Sequence, residues 1–166
     1  RRLGVSPSFL VNHVHYWGKA YQERLVGLER TDLLDPCASA LKAGLRISFH
    51  SDYCVTPIDP LLSIQTAVVR NMKEGGDILN AAERIDVLEA IRAVTLDAAW
   101  QCKLNHICGS LQVGKAADLV VLEEDPLKVE PTSIANISIH STWLDGKLRA
   151  GSLSIAQNHV VSTSSL

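Results

Sequence analysis

Two short segments carry the residue types most able to do chemistry. The first is His13-Val14-His15, which runs on into Tyr16-Trp17-Gly18. Two histidines separated by one residue share a face if the segment is extended, so a pair of imidazoles could ligate one metal ion. The same pattern also suits one interior histidine and one packing histidine. The second segment is His50-Ser51-Asp52-Tyr53. A carboxylate just past a short buried strand is costly unless a metal or hydrogen-bond donors compensate it. An Asx turn that caps the next loop accounts for Asp52 equally well.

Other candidates carry less. Gly109-Ser110-Leu111-Gln112-Val113-Gly114-Lys115 has the glycine and lysine spacing of a phosphate-binding loop. That loop needs Ser or Thr after the lysine and a helix beyond it. Here Ala116 follows and a strand is expected, so a glycine-bounded turn is the reading. Cys37, Cys54, Cys102 and Cys108 form no C-x-x-C pair, which argues against a zinc ribbon or a redox motif and for reduced, mostly buried thiols in a cytoplasmic protein. His106, His140 and His159 have no partner in spacing, and Trp17, Trp100 and Trp143 are scattered as packing residues are.

The elements that must position these groups read as an α/β chain. Val5–Val14 is a nearly continuous apolar run, as expected of a strand covered on both faces. Asp35-Pro36 opens a helix that Gly44 stops, and Leu45–Phe49 is a second strand. Strand, helix, strand is a βαβ unit with parallel neighbours, and both strands end in the reactive-looking residues. Asp59-Pro60 opens a helix to about Met72. Asp86 with Glu89 opens another to about Trp100. Beyond Gly109 the pattern becomes β, with strands at Ala117–Leu122 and Ile137–Leu144 and a hairpin turn at Asp145-Gly146. The organisation is therefore residues 1–108, residues 109–150, and a Ser-rich tail at 151–166 expected to be disordered.

Composition excludes some functions. Sixteen basic against eighteen acidic residues give a net charge of −2, too little positive charge for a nucleic-acid partner. No stretch approaches the roughly 20 apolar residues of a membrane helix, so no membrane partner is expected. The balance of 46% hydrophobic and 20% charged residues is that of a globular domain.

The order of these motifs resembles the C-terminal portion of metal-dependent amidohydrolases. It runs from His13-Val14-His15-Tyr16-Trp17-Gly18 through Leu34-Asp35-Pro36, His50-Ser51-Asp52-Tyr53 and Asp59-Pro60. It continues with Ala90–Ala99 and Gly109-Ser110-Leu111…Gly114-Lys115…Ala117-Asp118-Leu119-Val120-Val121-Leu122. The nearest branch is the amidohydrolase-3 type, which includes N-substituted formamide deformylases. The resemblance implies the last two βα units of a TIM-like (β/α)8 barrel followed by part of a small β-sandwich. It implies hydrolysis of non-peptide C–N bonds in amide-like or formamide-like small molecules, with a divalent metal, zinc by donor chemistry. Asp52 takes the place of the eighth-strand aspartate that binds metal and moves the proton. His13 is expected to face substrate, with Trp17 and Tyr53 on the pocket wall.

The rest of the barrel and most of its ligands are not in this sequence. The expectation is a C-terminal piece, inactive alone, whose partner is the missing N-terminal barrel portion. Two rival expectations are a non-catalytic structural remnant and a small self-contained metalloprotein with His13, His15, His50 and Asp52 as one site.

Overall fold

The computed structural model describes residues 2–151 of the 166-residue chain. Of the tail expected at 151–166, residues 152–166 lie outside the described residues, and Gly151 ends a strand. Two sheets are present among them. One is a parallel pair, β1 (Ser8–Phe9) and β2 (Ser48–Phe49), in the register Ser8 with Ser48 and Phe9 with Phe49. The other is an antiparallel meander of β3 (Leu119–Leu122), β4 (Ile139–Leu144) and β5 (Lys147–Gly151). The βαβ unit and the later β segment are thus present, and Asp145-Gly146 makes the β4–β5 turn with both residues at positive φ.

The expected strand Val5–Val14 is only two residues long. Helix α1 (Asn12–Ala20) begins where the strand was expected to continue. The N-cap Val11 and the helix residues Val14 and Gly18 are buried at spacings of three and four, so the same apolar run satisfies the helical period, and Asn12 is buried beside them. The Leu45–Phe49 strand is likewise reduced to β2. A π-helical turn (Tyr21–Leu25) and α2 (Leu28–Thr31) follow α1.

Helix α3 (Cys37–Lys42) stops at Gly44, which has φ of 73°. Asp35 does not cap it. The N-cap is Pro36, and Asp35 itself lies at φ 46°. The cap comes from Glu83, whose carboxylate accepts from the Ser39 amide at 2.9 Å and from the Ser39 hydroxyl. Helix α4 (Pro60–Val69) opens as expected, with Asp59 accepting from the Leu62 amide at 2.9 Å. It ends three residues before Met72, because Arg70 turns into the left-handed region. Asp86 caps α5 (Val87–Val94) by accepting from the Glu89 amide at 2.9 Å. The expected single helix to Trp100 breaks at Thr95, and α6 (Leu96–Gln101) starts there.

The main core joins these pieces. Val11, Ile47 and Phe49 from the strand segments meet Ile64 and Ala67 of α4 and Ala90 and Ala93 of α5. The alanines let α5 approach closely. Ile134, in a 3-10 turn at Pro131–Asn136, enters the same core and ties on the small β segment. Gln65 of α4 reinforces that joint by accepting from the Ala135 amide at 2.9 Å. Val14, Met72 and Leu79 form a second cluster under α1. Beside it Arg70 is fully buried. Its guanidinium donates to the carbonyls of Leu79 (2.7 Å), Leu34 (2.8 Å) and Asp35 (3.0 Å), which clamps the 34–35 loop to the 70–79 segment.

Cys37 is buried, as expected. Cys54 and Cys102 are exposed and Cys108 is half-buried, so the expectation of mostly buried thiols is corrected.

Candidate functional site

The carboxyl ends of β1 and β2 point the same way, because the pair is parallel. Chain leaves β1 into α1 and leaves β2 into the 50–59 loop, and the functional candidates sit on these two exits. The Ser48 amide donates to Pro7 at 3.2 Å and the His50 amide to Phe9 at 3.0 Å, which fixes the strand ends to each other.

The 50–59 loop is held by its backbone. The Val55 amide donates to the Asp52 carbonyl at 2.7 Å, and the buried Thr56 hydroxyl donates to the Ser51 carbonyl at 2.6 Å. Asp52 takes φ of 48° at this bend, a conformation Asp tolerates better than most side chains. Its carboxylate takes no part in these bonds and is exposed, as is Tyr53. The cost expected of a buried carboxylate therefore does not arise in this chain.

His13 lies on the first turn of α1 and is half-buried. Trp17 and Tyr21 follow at four-residue intervals, so the three aromatic side chains form one stripe along the helix. The His13 and Tyr21 rings are 6.0 Å apart between centroids. His13 is within electrostatic reach of both His50 and Asp52. Burial pushes its pKa down from the usual imidazole value, the nearby His50 adds to that, and Asp52 partly opposes it. Neutral imidazole is thus the favoured form of His13.

His13 and His15 do not share a face. In a helix, residues two apart point to nearly opposite sides. His15 Nδ1 lies 3.2 Å from the Asn71 carbonyl, and its ring meets Tyr16 edge-on at 4.9 Å. The reading of His13, His15, His50 and Asp52 as one self-contained metal site is therefore overturned. Among the described residues, no group of three or more His, Cys, Asp or Glu side chains could hold a metal ion. Catalytic zinc needs about three protein ligands. The described residues do not by themselves fit a metal centre, and Asp52 is a single exposed donor.

The structure places His13 after β1 and His50 and Asp52 after β2, and sequence reasoning misses the residues bonded to His50. Ser8 and Ser48 are the polar interruptions in two apolar strands, a signal that was available. Gln101 reaches them from α6, and no local pattern marks it. A cavity lies elsewhere. It is an open groove of about 620 Å³ between α5, α6 and β3, lined by Ile91, Val94, Leu104, Leu111 and Leu119. It is apolar and does not include Asp52. The glycine-rich 109–115 segment forms one wall of it, and no helix follows Lys115, in keeping with a turn.

A parallel α/β unit with Asp52 and His50 after one strand and His13 after the other is followed by an antiparallel β segment. Residues 1–150 match the model of the amidohydrolase family, and the chain belongs to that family. It is 33% identical over 116 residues to N-substituted formamide deformylase of Arthrobacter pascens, covering 70% of this chain and 21% of that protein. The chain thus spans about a fifth of that relative's length. A metal-dependent hydrolase from Pyrococcus furiosus superposes with a TM-score of 0.60 at 23% identity, over 76% of this chain and 25% of the other. An adenosine deaminase from Xanthomonas campestris with bound zinc superposes with a TM-score of 0.56 at 23% identity, over 71% and 28% of the two chains. These likenesses carry the fold. Among the described residues, no helix is long and apolar enough to cross a membrane.

Proposed function

We propose that this chain is the C-terminal part of a metal-dependent hydrolase of non-peptide C–N bonds in amide-like or formamide-like small molecules, and that it is inactive alone. The observation that supports this reading best is the placement of Asp52. Its carboxylate stands exposed at the carboxyl end of β2, within electrostatic reach of His13, in a chain of the amidohydrolase family. β1 and β2 serve as the last two strands of a larger barrel, and β3–β5 as part of the small β domain.

In this reading a divalent metal, zinc if the remaining donors are histidines and carboxylates, would be held mainly by the rest of the barrel with Asp52 as one further donor, and would polarise the carbonyl and acidify the attacking water. Asp52 takes a proton from the attacking water and returns it to the leaving nitrogen. His13 is kept neutral by burial and orients the substrate carbonyl through a ring N–H. Trp17 and Tyr53 line the approach to it.

The test is a chimera in which this chain replaces the matching segment of the Arthrobacter pascens deformylase. Zinc-dependent hydrolysis of N-substituted formamides is expected, and none from the 166-residue chain alone. Asp52→Asn in the chimera, compared at equal zinc occupancy, should lower kcat by about 10²- to 10⁴-fold. Near-normal turnover in that variant refutes the role of Asp52.

A further inference from the structure

A chain of hydrogen bonds runs across the parallel strand pair from α6 to the end of β2. The Gln101 side-chain amide nitrogen lies 2.8 Å from the Pro7 carbonyl and 2.8 Å from the Ser6 hydroxyl. Its oxygen lies 2.5 Å from the Ser48 hydroxyl. The Ser48 and Ser8 hydroxyls are 3.0 Å apart, and Ser8 Oγ is 2.9 Å from His50 Nδ1.

The donors and acceptors along this chain can be assigned without seeing a hydrogen. A carbonyl only accepts, so the group facing Pro7 must be the amide nitrogen of Gln101. That orientation leaves Gln101 Oε1 as an acceptor, and only the Ser48 proton can fill it. Ser48 has one proton, so Ser48 Oγ must then accept from Ser8. Ser8 also has one proton, so Ser8 Oγ must in turn accept from His50. Three contacts need three protons, and the two serines supply two. The third comes from His50 Nδ1. The result holds for the neutral ring and for the imidazolium, since both can carry a proton there.

We infer that Ser8, Ser48 and Gln101 are positioning residues that keep the Nδ1 proton on His50, leaving Nε2 of the neutral ring as a lone-pair acceptor at the strand ends. A ligand with an N–H or O–H donor is what such an acceptor suits. The inference rests on the bond chain alone and stands apart from the reaction proposed above. With Nε2 protonated instead, one of the three contacts would lack a proton. The loss of one such bond corresponds to a bias of about 2- to 12-fold between tautomers.

The experiment is long-range ¹⁵N–¹H correlation spectroscopy of the histidine rings in the 166-residue chain, at about pH 8.5, well above the usual imidazole pKa of about 6.5. His50, assigned by a His50→Gln spectrum, should show a protonated Nδ1 and a bare Nε2. Ser48→Ala frees the Ser8 proton to donate to Nδ1 and should move the proton to Nε2. Ser48→Thr, which restores the hydroxyl, should move it back. Should Ser48→Ala unfold the chain, Ser8→Ala at the exposed end cuts the last link and should relax the tautomer ratio to that of the urea-unfolded chain. A wild-type His50 protonated on Nε2, a wild-type ratio equal to that of the unfolded chain, or a ratio that neither substitution moves would overturn the inference.

Discussion

Asp35 shows how far a single side chain can depart from what its neighbours in sequence suggest. Asp-Pro ahead of Ala-Ser-Ala-Leu reads as a helix start, yet Asp35 turns away from α3 at φ 46°, and its Oδ2 is buried without a hydrogen-bond partner. Burial pushes its carboxyl up to about 6, and the Arg70 guanidinium only partly opposes that. The unfolded chain releases this proton near 3.8, so between about pH 4 and pH 6 the folded state holds the extra proton. Stability attributable to Asp35 therefore falls as pH rises through that window and stays lower above it. Asp35→Asn removes the charge, keeps the shape and tolerates positive φ. It should raise stability by about 1–3 kcal/mol near neutral pH, with the gain fading toward about pH 4, as read by urea denaturation at both ends of the window. An equal gain at both would assign the effect to something other than ionisation. The candidate site was partly legible at this scale. His50, Asp52 and His13 stand out by residue type and by their place after two apolar runs. The exposure of Asp52 was not foreseen, because exposure depends on what the rest of the molecule covers.

Signals whose chemistry closes within a few residues were read correctly at the level of elements, and signals that depend on distant partners were not. Asp59, Asp86 and Asp145-Gly146 each complete their bonds or turn locally, and each behaves as expected. The α3 cap comes instead from Glu83, 44 residues beyond Ser39, which no window on the sequence reveals. The run from Val5 to Val14 was ambiguous for another reason. Leu10, Val11 and Val14 fit both a covered strand and the buried face of a helix; in the structure Val14 packs against Met72 and Leu79 from α1. Gly109 marks the joint between the α/β part and the β segment. At φ 88° an added Cβ would lie 2.5 Å from Ala99 Cβ and 3.1 Å from the Thr95 carbonyl, with no flexible side chain to yield. Gly109→Ala should destabilise the chain by about 3 kcal/mol through strain and overpacking together. Gly114→Ala has open space and serves as the control for φ alone, at 91°. Equal thermal shifts from the two would show that the close approach to α6 contributes nothing.

The two-stranded β1–β2 pair sets the limits of the whole molecule. A pair of two-residue strands is marginal on its own, and here core residues of α3, α4 and α5 pack with it and Gln101 bonds to Ser48. Its outer edges have no strand partners among the described residues. The apolar groove beside β3 is open as well, with Leu111 80% and Val120 52% exposed. Contiguous apolar surface and free strand edges both favour association over a clean monomer. The purified chain should therefore bind a hydrophobic dye such as ANS under native conditions and sediment as a mixture that shifts with dilution. Joining it to the deformylase portion in the chimera should suppress both signals together, since the added strands would cover edge and groove at once. The two readouts separate two physical causes. Loss of association with dye binding retained would mean that the strand edges alone drive self-contact and that the groove stays open in the larger protein. A chain that is monomeric and dye-silent by itself would mean that the α4–α5 core is sufficient, and that the barrel-fragment reading overstates what these residues lack.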